Sequence, residues 1–297
     1  MLNLMAYLFI IYPVYYEEYI VDANRLKGYD TFIFSDSHGW SLTKNSIDNK
    51  IRLDSLGIFN FSYGSDSYYD IYIKLNYLLQ NNVNIDTVLV TADDHMISYY
   101  RQNSNNVNRS VVMATPSTFK DSYNQSILYY LIRKYLFRFF PMIKASNSQL
   151  MKKFLTHNIK TNIRTNFAGE DSSKTTSLSS NWSNTVDKKT VAINRLKTVF
   201  PKDSYSQSLK SCLIEIISLS KKHDITVIGV KFPLTREFVE STAYHDYNVE
   251  SIFKKRGCRV LNAQKILYDQ EEMFANQDHV NNRGGKIFIH YLRNNIY

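Results

Sequence analysis

A serine hydroxyl becomes a nucleophile only when a base can take its proton and donors can hold the charge that develops on the substrate. One stretch of this 297-residue chain offers such a hydroxyl in a suitable setting. Thr31-Phe32-Ile33-Phe34 is β-branched and aromatic and predicts a buried strand. Ser35-Asp36-Ser37-His38-Gly39 follows at once, small and polar, and Gly39 allows a tight turn. Open α/β sheets place their sites where strands end in this way. Ser37 belongs to that turn, although a polar turn without chemistry has the same composition. Two further predicted strands end alike: Ile58–Ser62 runs into Tyr63-Gly64-Ser65-Asp66-Ser67, and Asp86–Thr91 runs into Ala92-Asp93-Asp94-His95. The last cluster has metal-ligand chemistry but no spaced partner, so no metal is expected. Of the 7 histidines, His38 is expected to point away from Ser37 on an extended turn. His157, His223, His245 and His290 have no motif around them. His279 differs: it lies in Asp278-His279-Val280-Asn281, with Gly284 following, just before the last predicted helix.

Ser35-Asp36-Ser37-His38 resembles the Gly-Asp-Ser block of the SGNH/GDSL hydrolase superfamily, with Ser35 in place of the Gly. The His after the Ser is similar to the variant in SGNH domains of acyltransferases that modify surface polysaccharides. Asp278-His279-Val280-Asn281 resembles the family's final block. The resemblance implies Ser37 as nucleophile and His279 as its base, with the C-terminal loop brought beside the first strand. The family's Asp, three residues before the His, is Asn276 here; Asp278 immediately precedes the His. Either Asn276 or Asp278 would orient the ring, and only a carboxylate would also stabilise an imidazolium. The implied oxyanion donors are the N–H of Ser37, the N–H of Gly64 and an Asn side chain after the third strand. That Asn falls on Asp93, which accepts unless protonated, so either His95 donates instead or Asp93 is held neutral.

The resemblance implies an esterase or O-acyltransferase acting on an acyl ester, an acetyl on a carbohydrate, without cofactor or metal. The alternatives are a catalytically inactive SGNH-like domain that binds a glycan or a membrane-associated partner, and a lipid esterase.

The elements that must position these residues follow an α/β rhythm. Lys44–Leu53 and Tyr69–Leu79 carry helical patterns between the first three strands. Tyr205–Lys222 is a further helix, Asp224–Val230 a fourth strand, Glu250–Lys255 a short helix, Cys258–Leu261 a fifth strand and Lys286–Asn295 a closing helix. The expected fold is a three-layer α/β/α domain over 28–297, flavodoxin-like, with a parallel sheet of about five strands. Residues 101–200 interrupt it as an insertion. Within them, Arg101–Arg109 reads as a loop, Tyr123–Phe140 as an aromatic, basic helix closed by Pro141, Gln149–Leu155 as a short helix and Thr161–Lys189 as a long loop or lid.

Composition bounds the function. Hydrophobic residues make up 44% and charged residues 21%, as in a globular chain. The net charge of +9 comes with no dense basic block or nucleic-acid motif, so nucleic acid is not expected as a partner. The 23 Tyr suit sugar contact. Cys212 and Cys258 form no CxxC pair, and Cys212 belongs to an apolar helical face. Residues 1–20 open with an apolar run, MLNLMAYLFIIYPVYY, shorter than the ~20 residues of a spanning helix. It lacks a basic n-region and a cleavage site. Three readings stay open: a membrane anchor remnant, a weak signal anchor or a buried N-terminal helix. Membrane attachment is favoured, which implies a membrane-associated or extracytoplasmic location, with a cytoplasmic one as the alternative.

Overall fold

The computed structural model describes residues 22–136, 181–202, 204–242 and 247–296. The apolar N-terminal run, Gln149–Leu155 and most of Thr161–Lys189 lie outside them. The chain divides into two compact units. One gathers Leu26–Tyr72, Asn82–Asn106 and Thr176–Tyr297, the other Met1–Arg25, Ile73–Asn81 and Val107–Thr175.

The first unit is α/β, as expected. Its sheet is built from β1 (Thr31–Phe34), β2 (Ile58–Asn60), β3 (Thr87–Thr91), β4 (Thr226–Lys231) and β5 (Val260–Asn262). All pairs are parallel and the order is β2-β1-β3-β4-β5. In this order the connections leave β1 toward β2 on one side and reach β3 on the other. The carboxyl ends of β1 and β3 therefore flank the switch point, where open α/β sheets leave a crevice.

The helices that matter for the crevice are α1 (Ser37–Trp40), α2 (Ile47–Asp54), α3 (Tyr68–Gln80), α4 (Tyr99–Asn103), α5 (Lys188–Val199), α6 (Gln207–Lys222) and α7 (Asn282–Ile296). Ile33, Leu89 and Ile228 are aligned across three strands and face a core with Leu53 of α2 and Phe288, Ile289 and Leu292 of α7. On α7 the buried Gly284, Phe288 and Leu292 recur every fourth residue, which puts them on one helical face. Each of its three large apolar side chains contributes about 2 kcal/mol by burial. Trp182, which the sequence leaves in a polar loop, is a core residue of the same cluster. Phe32 and Phe34 point to the opposite face, where Phe34 meets Phe61 at 6.0 Å. Helix α6 buries Leu209, Cys212, Leu213, Ile216 and Ile217 there, and Cys212 is a core thiol.

Two departures from expectation shape the site. Arg101–Arg109 is not a plain loop: Ser98 accepts from the Arg101 N–H and caps α4, which carries Arg101 inward. The C-terminal segment before α7 forms a hairpin of β6 (Phe274–Asn276) and β7 (His279–Val280) that no alternation announces. Helix α5 is likewise hidden in a polar stretch, capped by Asp187.

In the second unit, the described residues 107–136 form helices Val107–Met113, Pro116–Tyr123 and Ile127–Leu131, then a π-helical turn Ile132–Leu136. The expected single helix from Tyr123 is broken because Asn124 takes a left-handed conformation (φ 50°) and Ser126 caps a new helix. Arg133 and Lys134 bind back onto Asn108 and the Ala114 carbonyl. Among the described residues no helix is long and apolar enough to cross a membrane.

Candidate active site

Ser37 is the first residue of α1, half-buried, immediately beyond β1. Asp36 caps this turn by accepting from the His38 N–H at 3.0 Å, and Ser35 Oγ accepts from the Gly39 N–H at 3.2 Å. Gly39 is required by close approach. A Cβ there would lie 2.5 Å from Ser62 Oγ and 2.6 Å from the Ser35 Cβ. Gly64 lies against the Trp40 ring, and its carbonyl accepts from Asn106 Nδ2 at 2.5 Å. The turns after β1 and β2 are thus packed on each other, with Ser37 and Gly64 on the same sheet edge.

The turns after β1 and β3 are joined more tightly. Each carries Asp-x-His: Asp36-Ser37-His38 and Asp93-Asp94-His95. The pairs cross. His38 Nδ1 lies 2.9 Å from Asp93 Oδ2, and His95 Nε2 lies 2.9 Å from Asp36 Oδ2. Arg101 Nη2 of α4 donates to the same Asp36 oxygen at 2.5 Å. Asp94 turns aside to Lys231 at the end of β4, with Nζ to Oδ2 at 3.2 Å. Asp93 and His95, the sequence candidates for the third oxyanion position, are therefore both engaged in carboxylate–imidazole pairs.

The C-terminal hairpin completes the group. Asn276 and His279 are register partners across β6 and β7, so the His279 Nδ1–H reaches Asn276 Oδ1 at 2.9 Å. Asp278 Oδ1 is also 2.9 Å from that nitrogen. The amide supplies the hydrogen bond from the position three residues back, and the adjacent carboxylate supplies the negative charge. Asp278 is held in turn by Arg195 of α5, whose Nε donates to Oδ2 at 2.7 Å. With Nδ1 donating, Nε2 of a neutral His279 carries the lone pair. The helical turn that begins at Ser37 packs on β7, which carries His279, and the ring of His38, next in sequence to Ser37, lies 5.2 Å from the His279 ring.

The residue that sequence reasoning set aside is the hub of the cluster. His38 is 4% exposed, with Nδ1 on Asp93 and Nε2 4.0 Å from Asp278 Oδ2. Burial alone would lower its pKa, but the carboxylates of Asp36, Asp278 and Asp93 outweigh it and push it up to about 10. Burial would raise Asp36, yet His38, Arg101 and His95 hold it well below the usual carboxylate range. Asp278 is likewise depressed against its burial by His279 and Arg195. Desolvation wins at His95, whose pKa is lowered, so it stays neutral and donates from Nε2. Three carboxylates, Asp36, Asp93 and Asp278, thus face three cations, Arg101, Arg195 and the His38 imidazolium. Among the described residues, the buried atoms Asp93 Oδ1 and Arg101 Nε have no hydrogen-bond partner.

Two triplets, Asp36/His38/His95 and His38/Asp278/His279, bring ligand atoms within 4.8 Å of one another. A divalent cation would find the right donor types there. In each triplet, however, the carboxylate already serves an arginine, and the shared histidine holds a proton between acids.

A pocket of about 620 Å³ lies between α4 and α5, lined by Tyr99, Tyr100, Asn103, Ser104, Thr198 and Pro201, with Lys202 at its edge. Its Tyr100 ring lies beneath the Arg101 guanidinium at 5.3 Å and 6.0 Å from that of Arg195. Arg101, Arg195 and His38 were the residues sequence reasoning missed. The repeated Asp-x-His at two strand ends was the one signal in the chain that could have flagged His38. No family model matches the chain, and neither the curated proteins nor the solved structures compared with it give a match.

Proposed function

We propose that the protein is an SGNH-like serine esterase or O-acyltransferase that acts on an acyl ester of a carbohydrate. Ser37 attacks the acyl carbonyl while His279 Nε2 takes its proton. The ester C–O bond then breaks, and the sugar hydroxyl leaves with that proton from His279, which leaves the acyl group on the serine oxygen. Asn276 fixes the His279 tautomer, and Asp278 stabilises the imidazolium formed as Ser37 is deprotonated. The main-chain N–H groups of Ser37 and Gly64 receive the oxyanion. Water or an acceptor hydroxyl then attacks the acyl-serine and gives its proton to His279, which passes it to the Ser37 oxygen as the acyl–serine bond breaks. The observation that carries this is the hairpin register that pairs His279 Nδ1 with Asn276 beside Asp278, at the edge where Ser37 opens α1. The carbohydrate rests on the resemblance to acyltransferase SGNH domains, and the tyrosine-lined pocket beside α4 supports it. The apolar N-terminal run supports attachment to a membrane.

One observation favours the alternative of an inactive SGNH-like domain that binds a glycan or a membrane-associated partner. Asp93 stands where the family has a donor and instead accepts from His38. Hydrolysis of p-nitrophenyl acetate by the wild-type protein and Ser37→Ala separates the two. The enzyme predicts loss of turnover in the variant. Equal rates would leave only the binding domain.

A further inference from the structure

We propose that His38 is a positioning residue for His279: its protonated ring pins Asp278 to the end of β3 and so fixes the carboxylate that serves the base. The inference rests on His279 being that base. Its ground is geometric. Both ring nitrogens of His38 face acids, Nδ1 at 2.9 Å from Asp93 Oδ2 and Nε2 at 4.0 Å from Asp278 Oδ2. A neutral imidazole has one donor and one acceptor, so it would set a lone pair against a carboxylate on one side or the other. The charged groups around the ring are Asp36 and Arg101 below it, Asp93 and His95 from the β3 end, and Asp278, His279 and Arg195 from the hairpin and α5.

Asp278 Oδ2 is shared between Arg195 on one side and His38 on the other, while Oδ1 faces His279 and also accepts from Gln277 Nε2 at 3.1 Å. Arg195 has a side chain 24% exposed and reaches Asp278 along a flexible stem, and Gln277 is the neighbouring residue on the same hairpin turn, so both can move with the carboxylate. His38 is 4% exposed and locked between β1 and β3. It is the rigid half of the grip. Removing its proton leaves the short Asp93 contact in place and releases the longer Asp278 contact, which turns the acid from His279 toward Arg195.

Two substitutions separate the two ring contacts. The amide nitrogen of Asn reaches about as far as Nδ1, and that of Gln about as far as Nε2. His38→Asn keeps the Asp93 bond and loses Asp278; His38→Gln keeps a donor toward Asp278. Steady-state kinetics on an activated acetyl ester, with circular dichroism to confirm folding, should show kcat down by about tenfold or more in His38→Asn with KM unchanged. His38→Gln should retain more kcat than His38→Asn. Equal kcat in wild type and His38→Asn, or the reverse order of the two variants, would overturn the inference. A second arm needs no activity. In wild-type protein with 15N-labelled histidine, the His38 ring should show both nitrogens protonated at pH 8, and His38→Asn should shift the His279 ring resonances. A neutral His38 at pH 8, or unmoved His279 signals, rejects the pin. A wild-type protein that turns over no ester, yet gives both expected spectra, removes the catalytic reading and leaves the pin standing.

Discussion

Asp36→Asn tests the cluster most severely. Asp36 is fully buried and accepts four times: from Ser35 Oγ at 3.4 Å, from the His38 N–H at 3.0 Å, from His95 Nε2 at 2.9 Å and from Arg101 Nη2 at 2.5 Å. Asparagine keeps the shape but brings one acceptor and an NH₂ that faces donors. The Arg101 guanidinium, 2% exposed, then stays in the interior without a counter-ion, and its Nε already lacks a partner. Breaking a buried pair by neutralising one side costs about 3–5 kcal/mol. Urea unfolding at pH 7, followed by far-ultraviolet circular dichroism, should show the unfolding free energy lowered by that amount, as a lower midpoint at unchanged slope. The double variant Asp36→Asn/Arg101→Met removes the stranded charge and should recover at least about 1 kcal/mol. A cost for Asp36→Asn below about 1 kcal/mol, the scale of exposed pairs, would mean that Asp36 and Arg101 are solvated, and the buried cross-link between the β1 and β3 turns would be refuted.

The pH dependence has a definite sign. The His38 pKa lies above its ordinary value of 6.5, at about 10, so its contribution is complete below about 6.5 and is lost as pH rises through about 10. That difference amounts to roughly 5 kcal/mol of preference for the charged ring. Urea midpoints should fall between pH 7 and pH 10 in wild type and much less in His38→Asn; parallel curves would contradict the charged ring. Gly39→Ala places a methyl 2.5 Å from Ser62 Oγ and should cost about 1–3 kcal/mol while displacing Ser37. A Gly39→Ala protein with wild-type melting and wild-type ester turnover would show that the turn has room to spare.

The strands were legible because each is short, apolar and bounded by polar turns: Phe32-Ile33-Phe34 and Val88-Leu89-Val90 carry their own burial. The polar residues at those strand ends were legible too. Their pairing was not, since it depends on strand order: Asp36 meets His95, and His38 meets Asp93, because β1 and β3 are neighbours in the sheet. His38 looked idle on the premise of an extended turn; the turn is helical from Ser37, and the ring goes inward. Arg101 was hidden by the Asn- and Ser-rich composition around it, which hid the Ser98 cap. Arg195 was hidden because α5 lies in a polar stretch and buries only Ala192, Leu196 and Val199, a weak apolar periodicity. From the sequence, either Asn276 or Asp278 could orient the His279 ring. The hairpin puts the Asn276 amide oxygen and the Asp278 carboxylate each 2.9 Å from His279 Nδ1, an arrangement that the spacing of residues did not announce.

The most direct measurement of the central claim is mass spectrometry of the protein after treatment with a fluorophosphonate. Ser37 activated by His279 predicts one phosphonyl adduct, on the peptide that contains Ser37, formed in wild type and lost in His279→Asn. No adduct, an adduct on another serine, or the same labelling rate in His279→Asn would contradict it.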